Sequence, residues 1–348
     1  MKEYKVIGLM SGTSLDGVDI AFCKFIFDKE WRFEIIHAET IEYPEEWLDR
    51  LVKLPQTHAE FLTQTNVEYG HYLGQITKDF IDRKKIKPEF ISSHGHTIFH
   101  QPEKHFTLQI GDGASIAAET GLPVVFDFRS LDVARGGQGA PLVPVGDKLL
   151  FGEYNYCLNL GGIANISYEE KGRRIAFDIC PVNQALNYLT NECGKSFDDK
   201  GMIASSGNVN AELSDTLNEL KYYSQLPPKS LGKEWVEKFI FPILNTFSIP
   251  VEDKLRTFSE HIAQQISKVL KTETGKLLIT GGGAYNDFLI KMIRNYTKNE
   301  IIVPDKILIE YKEAMIFAFL GVLKIRGEVN CLSSVTGAKE DSSGGVVV

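Results

Sequence analysis

The chain has 348 residues, with 38 Lys and Arg against 46 Asp and Glu and a formal net charge of −8. That length exceeds what one hydrophobic core usually holds, so two domains are expected. A hydrophobic content of 43% and a charged content of 24% describe a globular protein, and the acidic balance speaks against a nucleic-acid partner or an anionic membrane surface. A nucleotide that brings its own counter-ion is not excluded. The five cysteines include no C-x-x-C pair, which suits free thiols in a reducing compartment. No basic-then-apolar leader opens the chain and no apolar run reaches bilayer length, so a cytoplasmic location is expected.

The first element is a hairpin. Apolar runs from Val6 and from Val18 flank a polar turn. The turn carries Gly12 and Gly17, the hydroxyls of Ser11, Thr13 and Ser14, and the carboxylates Asp16 and Asp19. Glycines let backbone N–H groups close on a phosphate, hydroxyls donate to its oxygens, and carboxylates hold the accompanying magnesium. No Lys-Ser or Lys-Thr follows, so this is a phosphate hairpin rather than a helix-opening P-loop. An ordinary tight turn would use the same Ser-Gly and Asp-Gly pairs.

A strand is expected at 33–40 and helices at 45–54 and 61–83. Residues 90–97 read as a strand ending in a polar loop. A short helix at 114–120 closes on Gly121, and 122–128 is a buried strand. The glycine-rich loop 134–140 marks the domain boundary. The N-terminal domain then comprises residues 1–130 with 312–348, and the C-terminal domain 131–311. A second hairpin at 156–167 turns at Gly161 and Gly162 and carries Asn165, and its return strand, 174–178, ends on Asp178. Residues 253–270 form an amphipathic helix. A strand from Lys276 runs into Gly281, Gly282 and Gly283, and a helix follows at 286–296. The almost wholly apolar helix 311–325 carries Glu313 near its start.

Three glycine turns, each after a buried strand, suggest a clamped nucleotide. The first two would grip phosphates; the third, with Asn286, would let the nucleoside lie against bare backbone. This layout resembles that of the acetate and sugar kinase, Hsp70 and actin superfamily, which implies an α/β fold of two ribonuclease H-like domains with a nucleotide cleft between them. His94, His96, His100 and His105 lack metal-ligand spacing and read as the lining of a polar loop. Cys180 and Cys193 read as small buried hydrophobes.

Met10-Ser11-Gly12-Thr13-Ser14-Leu15-Asp16-Gly17-Val18-Asp19 resembles the signature of the 1,6-anhydro-N-acetylmuramic acid kinases. Ser93-His94-Gly95-x-Thr97-Ile98, Gln109-Ile110-Gly111-Asp112, Asp127-Phe128-Arg129 and the run from Gly136 to Pro144 agree. So do the run from Asn159 to Ile166, Pro228-Lys229-Ser230, Gly281-Gly282-Gly283-Ala284-x-Asn286 and Glu313-Ala314. The resemblance implies ATP and Mg2+ as cofactors and an anhydrosugar as the small-molecule partner, in a homodimer. Its reaction opens the 1,6-anhydro bond hydrolytically and phosphorylates the freed O6.

By that resemblance Asp178 is the general base. A strand-terminal cap or an ion-pair partner is the plainer reading of the same residue. Asp16 and Glu313 become the magnesium ligands, since the related levoglucosan kinases resemble this chain at both positions. Helix-dipole pairing would also explain Glu313. Arg129, Gly139 and Asn183 are assigned to substrate. An ion pair of Arg129 with Asp127 or Asp132 is compatible with that role. A kinase for a different anhydrosugar, or a weakly catalytic sugar- or nucleotide-binding regulator, are the alternatives.

The chain departs from the family after the base. The usual run resembles Asp-Thr-Gly-Pro-Gly-Asn; here it is Asp178-Ile179-Cys180-Pro181-Val182-Asn183. A β-branched Val resists the positive φ open to Gly, so a reshaped, drier loop is expected beside the base. Gly146-Asp147 lies near a frequent family His, and Leu231 and Lys233 stand for Thr and Arg.

Overall fold

The computed structural model describes residues 2–12, 15–271 and 274–348. The chain divides into two compact units, Met1–Leu150 with Tyr311–Val348, and Phe151–Glu310.

Unit 1 is built on β1 (Lys2–Ser11), β2 (Val18–Asp28), β3 (Glu30–Ile41), β4 (Phe90–Gln101), β5 (Phe106–Ile110) and β6 (Val124–Phe126). Its sheet runs β6-β4-β1-β2-β3, with β5 paired to β4. β1, β2 and β3 pair antiparallel, whereas β4 lies parallel to β1 and β6 parallel to β4.

Unit 2 repeats the plan with β7 (Tyr156–Leu160), β8 (Ile163–Glu170), β9 (Arg173–Pro181), β10 (Lys276–Thr280) and β11 (Glu300–Ile302). Its order is β11-β10-β7-β8-β9, again with three antiparallel strands followed by two parallel additions. A ribonuclease H-like sheet thus occurs twice, as the sequence reading expected of the fold. The C-terminal strand β12 (Val346–Val347) pairs antiparallel with β6 and closes that edge of the first sheet.

Period-two alternation places the two faces of β1. Ile7 and Leu9 join a core with Val18, Ile20 and Phe22 against Tyr69, Leu73 and Phe80 of the helix Ala59–Lys84. The opposite face meets the helix Lys306–Ile325. Residues Ala314 to Leu320 of that helix are almost fully buried, which explains its apolarity on every side. Phe25 and Phe319 pack with ring centroids 5.2 Å apart. Contact is close because the strands carry small residues there. A Cβ on Gly8 would lie 2.0 Å from the Ala314 carbonyl oxygen. Ser92 Oγ donates to the Phe317 carbonyl, and a Cβ on Gly321 would strike that same hydroxyl.

The second core packs β7, β8 and β9 against the helices Asn183–Asn191, Val251–Val269 and Asp287–Tyr296, through Leu158, Ile166, Leu189, Phe258, Ile262 and Leu289. No helix among the described residues is long and apolar enough to cross a membrane.

The sequence reading placed the boundary at 130/131; the division falls after Leu150 instead. The helix Val143–Leu150 belongs to unit 1 because Gly146 sits against Ile316 and Asp147 pairs with Lys312 at 2.7 Å, both side chains buried. The glycine-rich loop is also held there: Gln138 N–H donates to the Thr336 carbonyl and Gly139 N–H to Asp132 Oδ2. Three short strands, β5, β11 and β12, were not foreseen. The run 90–97 continues as strand through the histidines to Gln101 because β5 pairs with it.

Gly8→Ala should therefore cost stability although the position is fully backbone-compatible with strand. The added methyl meets backbone that cannot rotate away, and overpacking of this kind costs about 1–3 kcal/mol. A lowered thermal midpoint is expected; an unchanged midpoint would show that the helix is free to shift.

Candidate functional site

In unit 1 the chemistry gathers where β1 turns into β2. Gly17 takes φ +150 and packs so tightly that a Cβ would meet the Ile41 carbonyl oxygen at 2.4 Å. Asp16 is exposed at this turn. Thr13 and Ser14 lie outside the described residues. Ser11 faces inward: its hydroxyl is bonded to Tyr43 OH and to His96 Nδ1 at 2.8 Å, and Tyr43 OH continues to Tyr69 OH. The Ser11 side chain is thus committed to a buried polar chain, and Gly12 next to it stays partly open.

Asp19 sits opposite Met10 and Thr40 in the sheet, and its Oδ1 accepts from Thr40 Oγ1 at 2.6 Å. Asp19 also acts on Glu313. Solvent reaches the Glu313 side chain, yet the protein packed around it raises its pKa from the ordinary value. Lys312 opposes that rise, Asp19 adds to it, and Arg129 and Asp147 contribute in opposite directions. The charges of Asp19 and Asp147 thus both bear on Glu313, while Asp16 stands exposed on the turn. Among the described residues no three His, Cys, Asp or Glu form a metal cage. Two carboxylates nonetheless suit magnesium, which keeps waters and takes its remaining ligands from phosphate oxygens.

Arg129 is held by a neutral histidine. Burial pushes the His94 imidazole well below its usual range, and its Nδ1 lies 2.9 Å from the Gly95 carbonyl. Nδ1 must then carry the proton, leaving Nε2 to accept from Arg129 Nε at 3.0 Å. Burial pushes the guanidinium down to about 10, with Glu313 opposing, so it stays cationic at neutral pH. Neither Asp127 nor Asp132 pairs with it: Asp127 accepts from Ser130, and Asp132 from Gly139, Thr336 and Cys331. Gly139, at φ +68, offers its carbonyl to Arg129 at 3.4 Å. His94 and His96 are buried strand residues, not the lining of a loop as the spacing suggested.

In unit 2 the two glycine turns meet. Gly281 at φ +82 and Gly283 lie against Leu160 at the end of β7, where a Cβ on either would stand within 3 Å of its backbone. The Gly161-Gly162 turn is tied to the next helix, since Val182 and Gln184 N–H groups donate to Gly162 O and Asn183 N–H to Gly161 O. Asn183 Nδ2 reaches the Leu160 carbonyl at 3.4 Å. Asn286 caps the helix Asp287–Tyr296 by accepting from Leu289 N–H. Gly161, Gly162, Asn183 and Gly281 to Gly283 thus share one end of the sheet.

Asp178 lies beside them. Register aligns Asn159, Asn165 and Asp178 across β7, β8 and β9, so Asn165 is the direct neighbour of the carboxylate. Desolvation raises the Asp178 pKa, and one backbone bond, Leu231 N–H to Oδ2 at 2.8 Å, opposes the rise. Lys229 and Tyr222 also reach Asp178 backbone atoms. Sequence reading singled out neither for this, because they approach from a loop far along the chain.

The family described as anhydro-N-acetylmuramic acid kinase matches residues 4–348. The chain belongs to that family. Among its curated relatives, the anhydro-N-acetylmuramic acid kinase of Francisella tularensis subsp. novicida is 35% identical, covering 97% of both chains. That of Aliivibrio fischeri is 34% identical over 99% of this chain and 98% of its own, and that of Vibrio cholerae 34% over 98% and 97%.

Within this family, the run after Asp178 is accommodated without left-handed backbone. Val182 takes φ −129, in keeping with a β-branched side chain that resists positive φ. β9 continues through Pro181, and Ile179, Cys180 and Val182 enter the unit 2 core. Cys193, by contrast, is exposed, since it follows the helix Asn183–Asn191 at the surface.

The raised Asp178 pKa carries a stability consequence. An acid whose folded pKa lies above its unfolded value destabilises the fold once pH exceeds both, and costs nothing below the ordinary aspartate value of about 4. Asp178→Asn can still accept the Leu231 bond. The variant is expected to melt higher than wild type at pH 7, with the gap closing as pH falls below about 4. Calorimetry showing a lower midpoint at pH 7 would contradict a desolvated carboxylate.

Proposed function

We propose that this chain is an ATP-dependent kinase that hydrolytically opens 1,6-anhydro-N-acetylmuramic acid and phosphorylates O6, giving N-acetylmuramic acid 6-phosphate for cell-wall sugar recycling in the cytoplasm. The observation that carries this reading is Asp178: a partly desolvated carboxylate, held at one oxygen, on the sheet end that also gathers the glycine turns and Asn183.

The chemistry asks for one base near C1. As water attacks C1, its O–H bond breaks and the proton passes to Asp178. The C1–O6 bond breaks with its electron pair on O6, which takes the γ-phosphoryl group and releases ADP. A positioned base is worth about 10²–10⁴ in rate. Burial suits Asp178 to this task by making it a stronger base than an exposed carboxylate.

The remaining residues handle charge and orientation. Asp16 and Glu313 would hold magnesium, with Asp19 on the strand beside the turn; the ion would neutralise phosphoryl charge. Gly12, Gly17, Gly161 and Gly162 would present N–H groups to phosphate oxygens, with Asn165 beside them. Gly281 to Gly283 and Asn286 would bound the nucleoside. Arg129, cationic and fixed by His94 and Gly139, would meet the sugar or the γ-phosphate.

The test is a coupled assay with the purified chain, ATP, magnesium and a panel of anhydrosugars. Wild type should consume ATP only with an anhydrosugar, best with the N-acetylmuramic compound. Asp178→Asn should lose at least about 10³ in kcat while binding ATP normally. Near-normal turnover by that variant would remove Asp178 from the mechanism.

A further inference from the structure

β9 is an edge strand, and Asp178 lies on it. Its outward backbone groups therefore need partners from outside the sheet. One loop supplies them. Tyr222, buried, donates its hydroxyl to the Asp178 carbonyl at 2.6 Å. The Asp178 N–H donates to the Lys229 carbonyl at 3.3 Å. Leu231 N–H then donates to the side-chain Oδ2 at 2.8 Å. The loop also closes on itself, since Lys229 Nζ donates to the Tyr222 carbonyl at 3.2 Å and lies 4.5 Å over the Tyr222 ring. Residues 224–228 between these anchors are exposed, Leu226 to 85%. A loop with so little burial of its own is nevertheless bonded to the backbone and carboxylate of a single residue. The other carboxylate oxygen, Oδ1, has no hydrogen-bond partner among the described residues.

We propose that the segment 222–231 is the positioning element of Asp178: Tyr222 and Lys229 fix its backbone, and the Leu231 amide holds Oδ2, reserving Oδ1 as the oxygen that takes the proton from the attacking water. This rests on the reading of Asp178 as the base. A carboxylate with both oxygens free would rotate about χ2 and spend time with neither lone pair aimed at water. One amide bond removes that freedom and leaves one oxygen basic. The role belongs to the backbone N–H, so it does not depend on the Leu231 side chain.

The titratable groups around Asp178 are few. Tyr222 is held neutral by burial, Lys229 is lowered by burial and stands on the same segment, and the Cys180 thiol on β9 is pushed up by burial. The amide is the stabilising bond on the carboxylate, so its removal must raise the affinity of Asp178 for its proton.

The experiment compares Leu231→Pro, which removes the N–H, with Leu231→Ala, which keeps it. The Asp178 carboxyl is followed by carbon NMR, assigned against Asp178→Asn, and the acid limb of kcat/KM is measured beside it. Leu231→Pro should move both titrations to higher pH by about one unit, a roughly tenfold loss of kcat/KM below the limb. Leu231→Ala should titrate as wild type. Tyr222→Phe, which keeps the ring and deletes one backbone anchor, should lower kcat about tenfold with little change in sugar KM. The Tyr222→Phe arm decides the matter should Leu231→Pro fail to fold. Identical carboxyl titrations in the Pro and Ala variants, or wild-type kcat in Tyr222→Phe, would overturn the proposal. Full activity of Asp178→Asn would instead overturn the reading beneath it, while the NMR titration would still report whether the amide holds the carboxylate.

Discussion

A Cβ at position 8 would stand 2.0 Å from the Ala314 carbonyl oxygen, and the site in unit 1 depends on its absence. Backbone of β1 and backbone of the helix Lys306–Ile325 touch there. The residue before Ala314 is Glu313, so the same contact fixes where that carboxylate leaves the helix. Unit 2 uses the device again. Gly281 and Gly283 lie on Leu160, which brings the third glycine turn onto the second. In both units a missing side chain lets two stretches of backbone meet.

Charges in these sites are tuned by neighbours rather than left to water. Lys312, adjacent to Glu313, is buried and paired with Asp147, so its charge is fixed in place. Arg129 is oriented by a histidine that burial keeps neutral, which lets a cation be gripped without being neutralised. Asp178 is the opposite case, a carboxylate made more basic by desolvation and restrained by one amide. Such arrangements cost stability.

The fold class was legible because it is written locally, and so are the elements that carry much of the candidate site. Both hairpins, the strand before Gly281 and the apolar helix with Glu313 each fall within a short window of sequence. Asp19 was visible as a turn carboxylate; its coupling to Glu313 across the fold was not. The loop that holds Asp178 was out of reach, since Tyr222 and Leu231 stand 44 and 53 positions away and carry no motif for such a bond. The histidine run misled for a physical reason: polar residues suggest a loop, yet pairing with β5 keeps them in a strand, where His94 and His96 are satisfied by Arg129 and Ser11. Val182 was readable for a physical reason: a β-branched residue resists positive φ, and this backbone stays at −129.

The central claim is that Asp178 directs water to C1 while O6 leaves toward phosphorus. Turnover in water enriched in heavy oxygen, quenched promptly to limit anomeric exchange, tests it most directly. The label is expected at C1 of the sugar phosphate, with the oxygen bridging C6 and phosphorus unlabelled. A promptly quenched product with no label at C1 would contradict hydrolytic opening, whatever the rate of ATP consumption.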